Sequence, residues 1–414
     1  MRITESDPAA SLSPRRIEAI VWLMAWTTFA YVNLSISLSP LLTSIAATFD
    51  VSESAAGQLA TVQGVVGTIS ALLSAPWMNR YSRRSWLRAE LGVLVLGVVL
   101  SAAAPSFAVL LAARALIGIA AGALVANCFT AASEVVRDPR RQGRAVGIVA
   151  SGTTVAVMLG LPAMAWLNDA VGWRWAMVCA LVPIGISLAG TEFLPAAQGR
   201  ARARDDHGDA IDAGSLRRIL RGDAATVVMI VVSGLIFVAY VGWITYYSAY
   251  VERDFAGGAR SIGLLFIVGG LFELAGNFVA PALSHWAPVR WVTLVGTAGV
   301  ALALLGSGIA FRTVAGLYAG IALLHLATSF AYVGINTLLL QRPQAIRGTV
   351  MALSSAAVGF GGAMGALIGG AVLSSTGDYE TIFHVLGALM ALGVVALFFA
   401  VRTGDNQPQS EGGG

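Results

Sequence analysis

The chain reads as an all-α membrane protein of twelve transmembrane helices in two pseudo-symmetric six-helix bundles. Three observations predict this. First, the composition suits lipid: mean hydropathy is +0.76, and of 414 residues 57% are hydrophobic and only 12% charged, far from an average soluble domain. The 47 glycines suit membrane helices that approach closely. Second, apolar runs recur that are long enough for a hydrocarbon core of about 30 Å, which takes about 20 helical residues. Third, the chain repeats itself. Ala75-Pro76 with Arg80, Tyr81 and Ser82 returns as Ala280-Pro281 with His285, Trp286 and Ala287. Ala30-Tyr31-Val32 returns as Ala239-Tyr240-Val241, and Arg144 with Val149 to Ser151 returns as Arg347 with Ala352 to Ser354. The offsets are 205, 209 and 203 residues. Matches in one order at nearly constant spacing imply two halves built on one plan.

Residues 1–16 are polar, carry Pro8 and Pro14, and read as a tail. The N-terminal bundle covers 17–194. Its first span, Ile17 to Phe49, exceeds what a crossing needs and so overshoots or tilts. It is also too long for a signal-peptide core and lacks a small-residue cleavage site before the next span, so it is expected to be retained. After a polar turn at Asp50 to Ser54, the second span runs to Met78. The third covers about Ser85 to Ala104, and the fourth Phe107 to Val136. Beyond the basic loop Arg137-Asp138-Pro139-Arg140-Arg141 come the fifth, Gly143 to Leu167, and the sixth, Trp173 to Leu194. The longest polar stretch, 195–223, reads as a linker between halves. The C-terminal bundle, 224–401, repeats the pattern near Ala224 to Tyr250, Ser261 to Leu283, Arg290 to Ala310, Thr313 to Leu340, Gly348 to Ser374 and Tyr379 to Val401, and 402–414 form a second tail.

Arginine placement orients the chain. The tails, the linker and the loops after even-numbered spans hold 21 arginines, and the opposite side holds only Arg174, Arg253, Arg260 and Arg312. By the positive-inside rule both termini and the linker are expected in the cytoplasm, with the spans in the cell inner (plasma) membrane. The formal charge of +4 and pI near 9.3 do not imply nucleic acid, because the basic residues sit in loops between apolar runs and not on one solvated face. The chain contains no lysine, which excludes a Walker A lysine and a lysine Schiff base. Its only cysteines, Cys128 and Cys179, lie inside apolar runs, and four scattered histidines offer no paired-ligand spacing. No cofactor, metal or disulfide framework is expected.

The loop after the second span has Ala75, Asn79, Arg80, Ser82, Arg83 and Arg84 in the frame Gly-x-x-x-Asp-Arg-x-Gly-Arg-Arg. With the two halves and the long linker, this resembles the major facilitator superfamily over residues 17–402. The arginines match, whereas both glycines and the aspartate are replaced. The resemblance implies a conformational role for Asn79, Arg80, Arg83 and Arg84, but Asn79 can only hydrogen-bond where an aspartate would pair with charge. Glu134, at the end of the fourth span, is the expected partner of Arg80, Arg83 or Arg84. Arg114-Ala115-Leu116-Ile117-Gly118 is similar to an Arg-x-x-Gln-Gly motif of proton-coupled members, with Ile117 replacing Gln. Gly152, Gly160-Leu161-Pro162 and Gly172-Trp173-Arg174 resemble the antiporter motif of sugar-efflux and arabinose-efflux-like permeases in the drug:proton antiporter branch. Physically, Gly160 and Pro162 let the fifth span bend and lie against a neighbour from the other half.

An ionisable group at the bilayer centre costs about 2.5–3.5 kcal/mol on insertion scales. Two stand out: Arg114 in the fourth span and Glu273 near the middle of the eighth. Either is open to a structural reading, paired with a carbonyl or a local polar group. The functional reading makes Glu273 the carrier of a coupling proton, since desolvation in a cavity wall disfavours its charged form, with Arg114 competing for its negative charge or for substrate. Tyr318, His325, Ser329, Tyr332 and Asn336 share one face of the tenth span at steps of 7, 4, 3 and 4. A polar face on an embedded helix must turn to protein or water, which suits cavity lining or interhelical hydrogen bonds. His325 is a candidate proton group or a satisfied interior histidine. Tyr240, Trp243, Tyr247 and Tyr250 align in the seventh span, where Tyr250 also suits an interfacial aromatic belt. Asn33, with Trp26 and Ser37 on one face, and Asn277, one turn beyond Glu273, complete the candidate cavity.

The resemblance implies alternating access around a midplane cavity lined chiefly by spans one, four, seven and ten. Aromatic and sparsely charged, such a cavity suits a small amphipathic or polar neutral solute. The expectation is proton-coupled efflux of a drug-like compound or a sugar, by a monomer whose partners are the solute, protons and the lipid bilayer. Uptake by symport is the nearest alternative. A polytopic enzyme or sensor fits less well, because the spans hold no Ser-His, paired-carboxylate or metal constellation and the chain has no sizeable soluble domain.

Overall fold

The computed structural model describes residues 13–78, 81–136, 138–195, 214, 217, 219, 223–283, 286–307, 309 and 313–403. Among them the regular structure is helical, without strands. Eleven segments are long and apolar enough to cross a membrane, and Val289–Leu305 is a shorter apolar helix. The first span comprises α1 (Pro14–Ile36) and α2 (Leu38–Phe49); then follow α3 (Glu53–Met78), α4 (Arg83–Ala103) and α5 (Phe107–Val135). The fifth span is α6 (Pro139–Val155), a π turn (Ala156–Gly160) and α7 (Leu161–Val171); the sixth is α8 (Trp173–Cys179), α9 (Leu181–Gly190) and a 3₁₀ turn (Thr191–Phe193). The remaining helices are α10 (Ala224–Phe255), α11 (Ala259–Leu283), α12 (Val289–Leu305), α13 (Val314–Leu340), α14 (Gln344–Thr376) and α15 (Tyr379–Thr403).

Three spans expected as single helices are broken, and proline accounts for each break. A proline has no N–H to donate, and its ring crowds the carbonyl four residues back. For Pro40, Pro162 and Pro183 those carbonyls belong to Ile36, Met158 and Cys179. α1 ends at Ile36, the π turn contains Met158, and α8 ends at Cys179. At the first break Ser37 donates its N–H to the Asn33 carbonyl at 2.9 Å and its hydroxyl to the Leu34 carbonyl at 2.7 Å. In the π turn the Leu161 N–H reaches back to the Ala156 carbonyl, five residues away.

The chain forms two compact units. The first comprises Met1–His207 and Ile244–Gly270; the second comprises Gly208–Trp243 and Leu271–Gly414. The bundles read from sequence, 17–194 and 224–401, differ from this in one respect: the end of α10 and the start of α11 pack within the first unit. The reason is local fit. Gly57 leaves no room for a Cβ beside the Tyr246 hydroxyl, and the Ser39 and Ser248 hydroxyls hydrogen-bond at 2.9 Å. A Cβ on Gly263 would lie 2.7 Å from the Trp166 indole nitrogen, and one on Gly270 would lie 2.5 Å from Met158 Cβ.

Within each unit the repeat reappears as packing. In the first, Gly152 of α6 lies against the Ala25 carbonyl of α1 with no space for a side chain. In the second, Gly361 of α14 lies in the same way against the Gly234 carbonyl of α10. Ala25 to Gly234 and Gly152 to Gly361 are both steps of 209 residues, the step of the Ala-Tyr-Val repeat and not the 203 of the Arg144 to Arg347 match in the same span, which the packing does not support. Large apolar side chains such as Leu73, Val182, Leu302 and Leu392 are 64–67% exposed, while Arg114, Asn127 and His325 are at most 1% exposed. This placement suits a hydrocarbon solvent, which cannot satisfy polar groups.

Candidate functional site

The second unit brings two of the singled-out ionisable residues together. α11 and α13 approach closely at Gly276, where a Cβ would lie 2.6 Å from Ser329 Cβ. The Ser329 hydroxyl therefore reaches two carbonyls, that of Glu273 at 3.0 Å and that of His325 at 3.1 Å. At this crossing Glu273 Oε2 lies 2.8 Å from His325 Nδ1, with side chains 15% and 0% exposed respectively. The Tyr240 hydroxyl also hydrogen-bonds Glu273. Tyr240 and Trp243 of α10 stand edge-on to the imidazole, with centroids at 5.6 and 5.7 Å and interplanar angles of 87° and 79°. His325 Nε2 is buried without a hydrogen-bond partner.

This arrangement serves two protonation states. An ionised carboxylate accepts from an Nδ1–H, and a protonated one donates to an unprotonated Nδ1. The pair can therefore gain or lose a proton without losing its hydrogen bond. The two rings enclose the imidazole edge-on, and Trp243 is itself only 2% exposed. Among the other α13 face residues, Tyr332 is 39% exposed and its ring lies 5.3 Å from that of Phe237. Asn336 donates back to the Tyr332 carbonyl at 2.8 Å. Asn277 is half-buried on α11. Tyr250, expected also as a belt residue, is only 1% exposed and packs against Phe255, with centroids 5.3 Å apart. It belongs to the protein interior.

Arg114 lies elsewhere. At 1% exposure it donates to Gln63 Oε1 at 3.2 Å and lies 3.8 Å from Met177 Sδ, all in the first unit. Gln63 in turn donates to Ser35 Oγ at 2.7 Å, and Tyr31 hydrogen-bonds both Ser35 and Gln63. Each of the two singled-out charges has its own partner: an amide from α3 for Arg114 and an imidazole from α13 for Glu273. The amide missing from the helix at Ile117 is supplied by another helix.

Of the conformational residues, Arg83 pairs with Glu134 at 3.2 Å, and Arg84 and Arg88 both pair with Glu192. Asn79 and Arg80 lie outside the described residues, as do 1–12, 404–414 and most of the linker; the end of the expected N-terminal tail, Pro14 to Arg16, is instead the first turn of α1. The glycines of the fifth span do not face the other half as expected: Gly152 meets α1 at Ala25, and Gly160 meets it at Asn33, which is 6% exposed. The chain from the second half of the sequence is met instead through Met158 and Trp166, opposite Gly270 and Gly263. Among the described residues no three His, Cys, Asp or Glu side chains are grouped to hold a metal ion.

Sequence reasoning passed over Gln63, Glu90 and Asn127. Glu90, 7% exposed on α4, accepts from Trp86 Nε1 at 3.0 Å and from Asn127 Nδ2 at 3.2 Å. The available signal was a carboxylate within the apolar run of the third span and an amide within that of the fourth. Glu90 follows Arg83 by only 7 residues and so resembles an interfacial charge.

Long apolar helices in two repeated halves, with charged groups turned inward, define a class: the polytopic membrane transporters. More narrowly, the chain belongs to the Major Facilitator Superfamily, whose model matches residues 22–343 and 235–414. It is 28% identical over 377 residues to the inner membrane transport protein YdhP of Escherichia coli, covering 89% of this chain and 92% of that one. It is 29% identical over 291 residues to a chloramphenicol efflux pump of Mycobacterium tuberculosis, covering 70% and 68%. Among solved structures, a bacterial homologue of the lysosomal transporter Spinster superposes with a TM-score of 0.75 at 15% identity, over 95% of this chain and 98% of that one. The nucleoside transporter NupG also gives 0.75, at 12% identity over 92% and 99%. At these identities the structures speak for the fold alone.

Proposed function

We propose that this major facilitator transporter exports a small amphipathic organic solute in exchange for protons, and that Glu273 and His325 carry the exchanged proton. The observation that carries the reading is the 2.8 Å contact between two titratable side chains, one wholly and one largely buried, near the middle of two helices long and apolar enough to cross a membrane. An intramembrane pair of this kind is costly and so marks a proton path or a ligand site. Tyr240 and Trp243 would contact the solute beside the pair, with Tyr332, Asn277 and Asn336 further along the same two helices. Protonation of Glu273 takes up an acceptor oxygen that a hydrogen-bond donor on the solute would use; solute and proton then compete for one carboxylate, as exchange requires. The similarity to a chloramphenicol efflux pump supports a drug-like solute over a sugar. The arginine distribution, 21 on one side against 4 on the other, supports cytoplasmic termini in the inner membrane.

The test is solute flux in proteoliposomes under an imposed pH gradient, with chloramphenicol and a panel of sugars as probes. The wild type should move an amphipathic probe against the proton gradient. Glu273→Gln should lower gradient-driven flux by about 100-fold, the scale of losing one proton-transfer group, while leaving membrane insertion intact. Flux in the direction of the protons would convert the reading to symport. Coupling unchanged in Glu273→Gln would end it.

A further inference from the structure

The first unit holds a second buried carboxylate, Glu90, that the reading above does not use. Its two oxygens accept from Trp86 Nε1 at 3.0 Å and Asn127 Nδ2 at 3.2 Å, both neutral donors. Of the charged and titratable groups on the elements around it, Arg83 and Cys128 feel its charge through space, but each cation has another partner. On its own helix Arg83 pairs with Glu134 of α5 at 3.2 Å, and Arg84 and Arg88 pair with Glu192 of the 3₁₀ turn. On α5, Arg114 donates to Gln63 and Cys128 is buried. On α8, Arg174 donates to the Ala102 carbonyl at 3.0 Å and lies 4.3 Å from the Trp173 ring centroid. Among the described residues none of these cations forms a salt bridge with Glu90.

The partner amide carries the decisive asymmetry. Asn127 is 1% exposed, and while its nitrogen serves Glu90 its Oδ1 is buried without a partner. A buried carbonyl oxygen left unpaired is destabilising. Rotating the amide would turn that oxygen toward Glu90, where only a protonated carboxyl can donate to it. The site thus offers a hydrogen bond to either form of Glu90.

The repeated plan shows that the fold does not need the carboxylate. α12 (Val289–Leu305), the third span of the second half as α4 is of the first, carries no acid anywhere along its length, and it packs closely on α13 all the same, at Gly296 and Gly299.

The geometry points to Glu90 and Asn127 as a proton-binding site in the first unit, separate from the Glu273–His325 pair. A proton arriving on Glu90 Oε2 forms an O–H that donates to Asn127 Oδ1; on release it leaves for water, and Asn127 Nδ2–H donates to the carboxylate again. The site lies two helical turns from Arg83, toward the arginine-rich end of α4.

Infrared difference spectroscopy of the full-length protein in lipid, titrated between about pH 5 and about pH 9, reads protonated carboxyls directly. The wild type should show a carbonyl band that grows with acid, is lost in Glu90→Gln and is kept in Glu273→Gln. Its retention in Glu273→Gln would hold whether or not transport is proton-coupled, so the two readings fail separately. A Glu90→Gln spectrum identical to wild type would overturn the assignment. Asn127→Ala keeps the acid but removes its acceptor, and should move the band to higher frequency; an unmoved band would equally overturn it.

Discussion

The crossing of α3 with α5 in the first unit and that of α11 with α13 in the second each join the second and fourth spans of a half, and they are filled differently. Gln63 and Arg114 stand at one, Glu273 and His325 at the other. In each a side chain from the earlier helix meets one from the later, at 3.2 Å and 2.8 Å. In the first unit the charge is a guanidinium, which stays protonated, and its partner is an amide, which does not titrate. In the second both partners are of types that can exchange a proton. On the proposed reading the partner decides whether a buried charge is a fixture or a switch. Glu90 is an intermediate case, an acid held by an amide able to face either of its forms.

The sharpest way to break this comparison is to remove the neutral partner. Gln63→Leu should destabilise the protein by about 3 kcal/mol, because it strips a hydrogen bond from a buried charge; thermal unfolding in detergent measures it. Its pH profile of transport should stay that of the wild type, whereas His325→Gln should shift it. A shifted profile in Gln63→Leu would show that the first crossing is also a switch. A smaller effect tests the repeat. Gly152→Ala and Gly361→Ala each drive a Cβ into a facing carbonyl and should each cost about 2 kcal/mol, so unequal costs in denaturant titrations would mean that the two halves pack differently. The smallest expected effect contrasts the starts of the last span in each half. Trp173 follows Gly172, which supplies no side-chain cap, whereas Asp378 accepts from the Thr381 N–H at 2.8 Å and from its hydroxyl at 2.5 Å. Partial burial of Asp378 opposes ionisation, but hydrogen bonds from Thr381 and Glu380 outweigh it and hold the carboxyl below its usual range. A depressed folded value means that this contribution is present above the unfolded value and lost as pH falls through the folded one. Asp378→Ala should therefore cost about 1 kcal/mol at neutral pH and less in acid, as unfolding scans at both would show.

Much of the fold was legible because it rests on local chemistry. Apolar run lengths placed the spans, and the Ala-Tyr-Val repeat anticipated the step that relates Gly152 on Ala25 to Gly361 on Gly234. The breaks at Ser37 and Ala180 were missed although Pro40 and Pro183 carried the signal, since hydropathy does not register a lost hydrogen bond. At the site, Glu273 and His325 were each conspicuous as polar groups in apolar runs. Their pairing was not, because they lie 52 residues apart on different helices and helical spacing relates only residues on one helix.

Composition and periodicity by themselves determined a lipid-embedded chain of two like halves, because burial of apolar length and repetition of pattern are properties of the linear chain. Tertiary structure alone decided which group each buried charge hydrogen-bonds: an amide for Arg114, an imidazole for Glu273, an invertible amide for Glu90. The reason is distance. Electrostatic and hydrogen-bond partners are chosen within about 3 Å, and that proximity is set by how closely glycine-bearing helices pack.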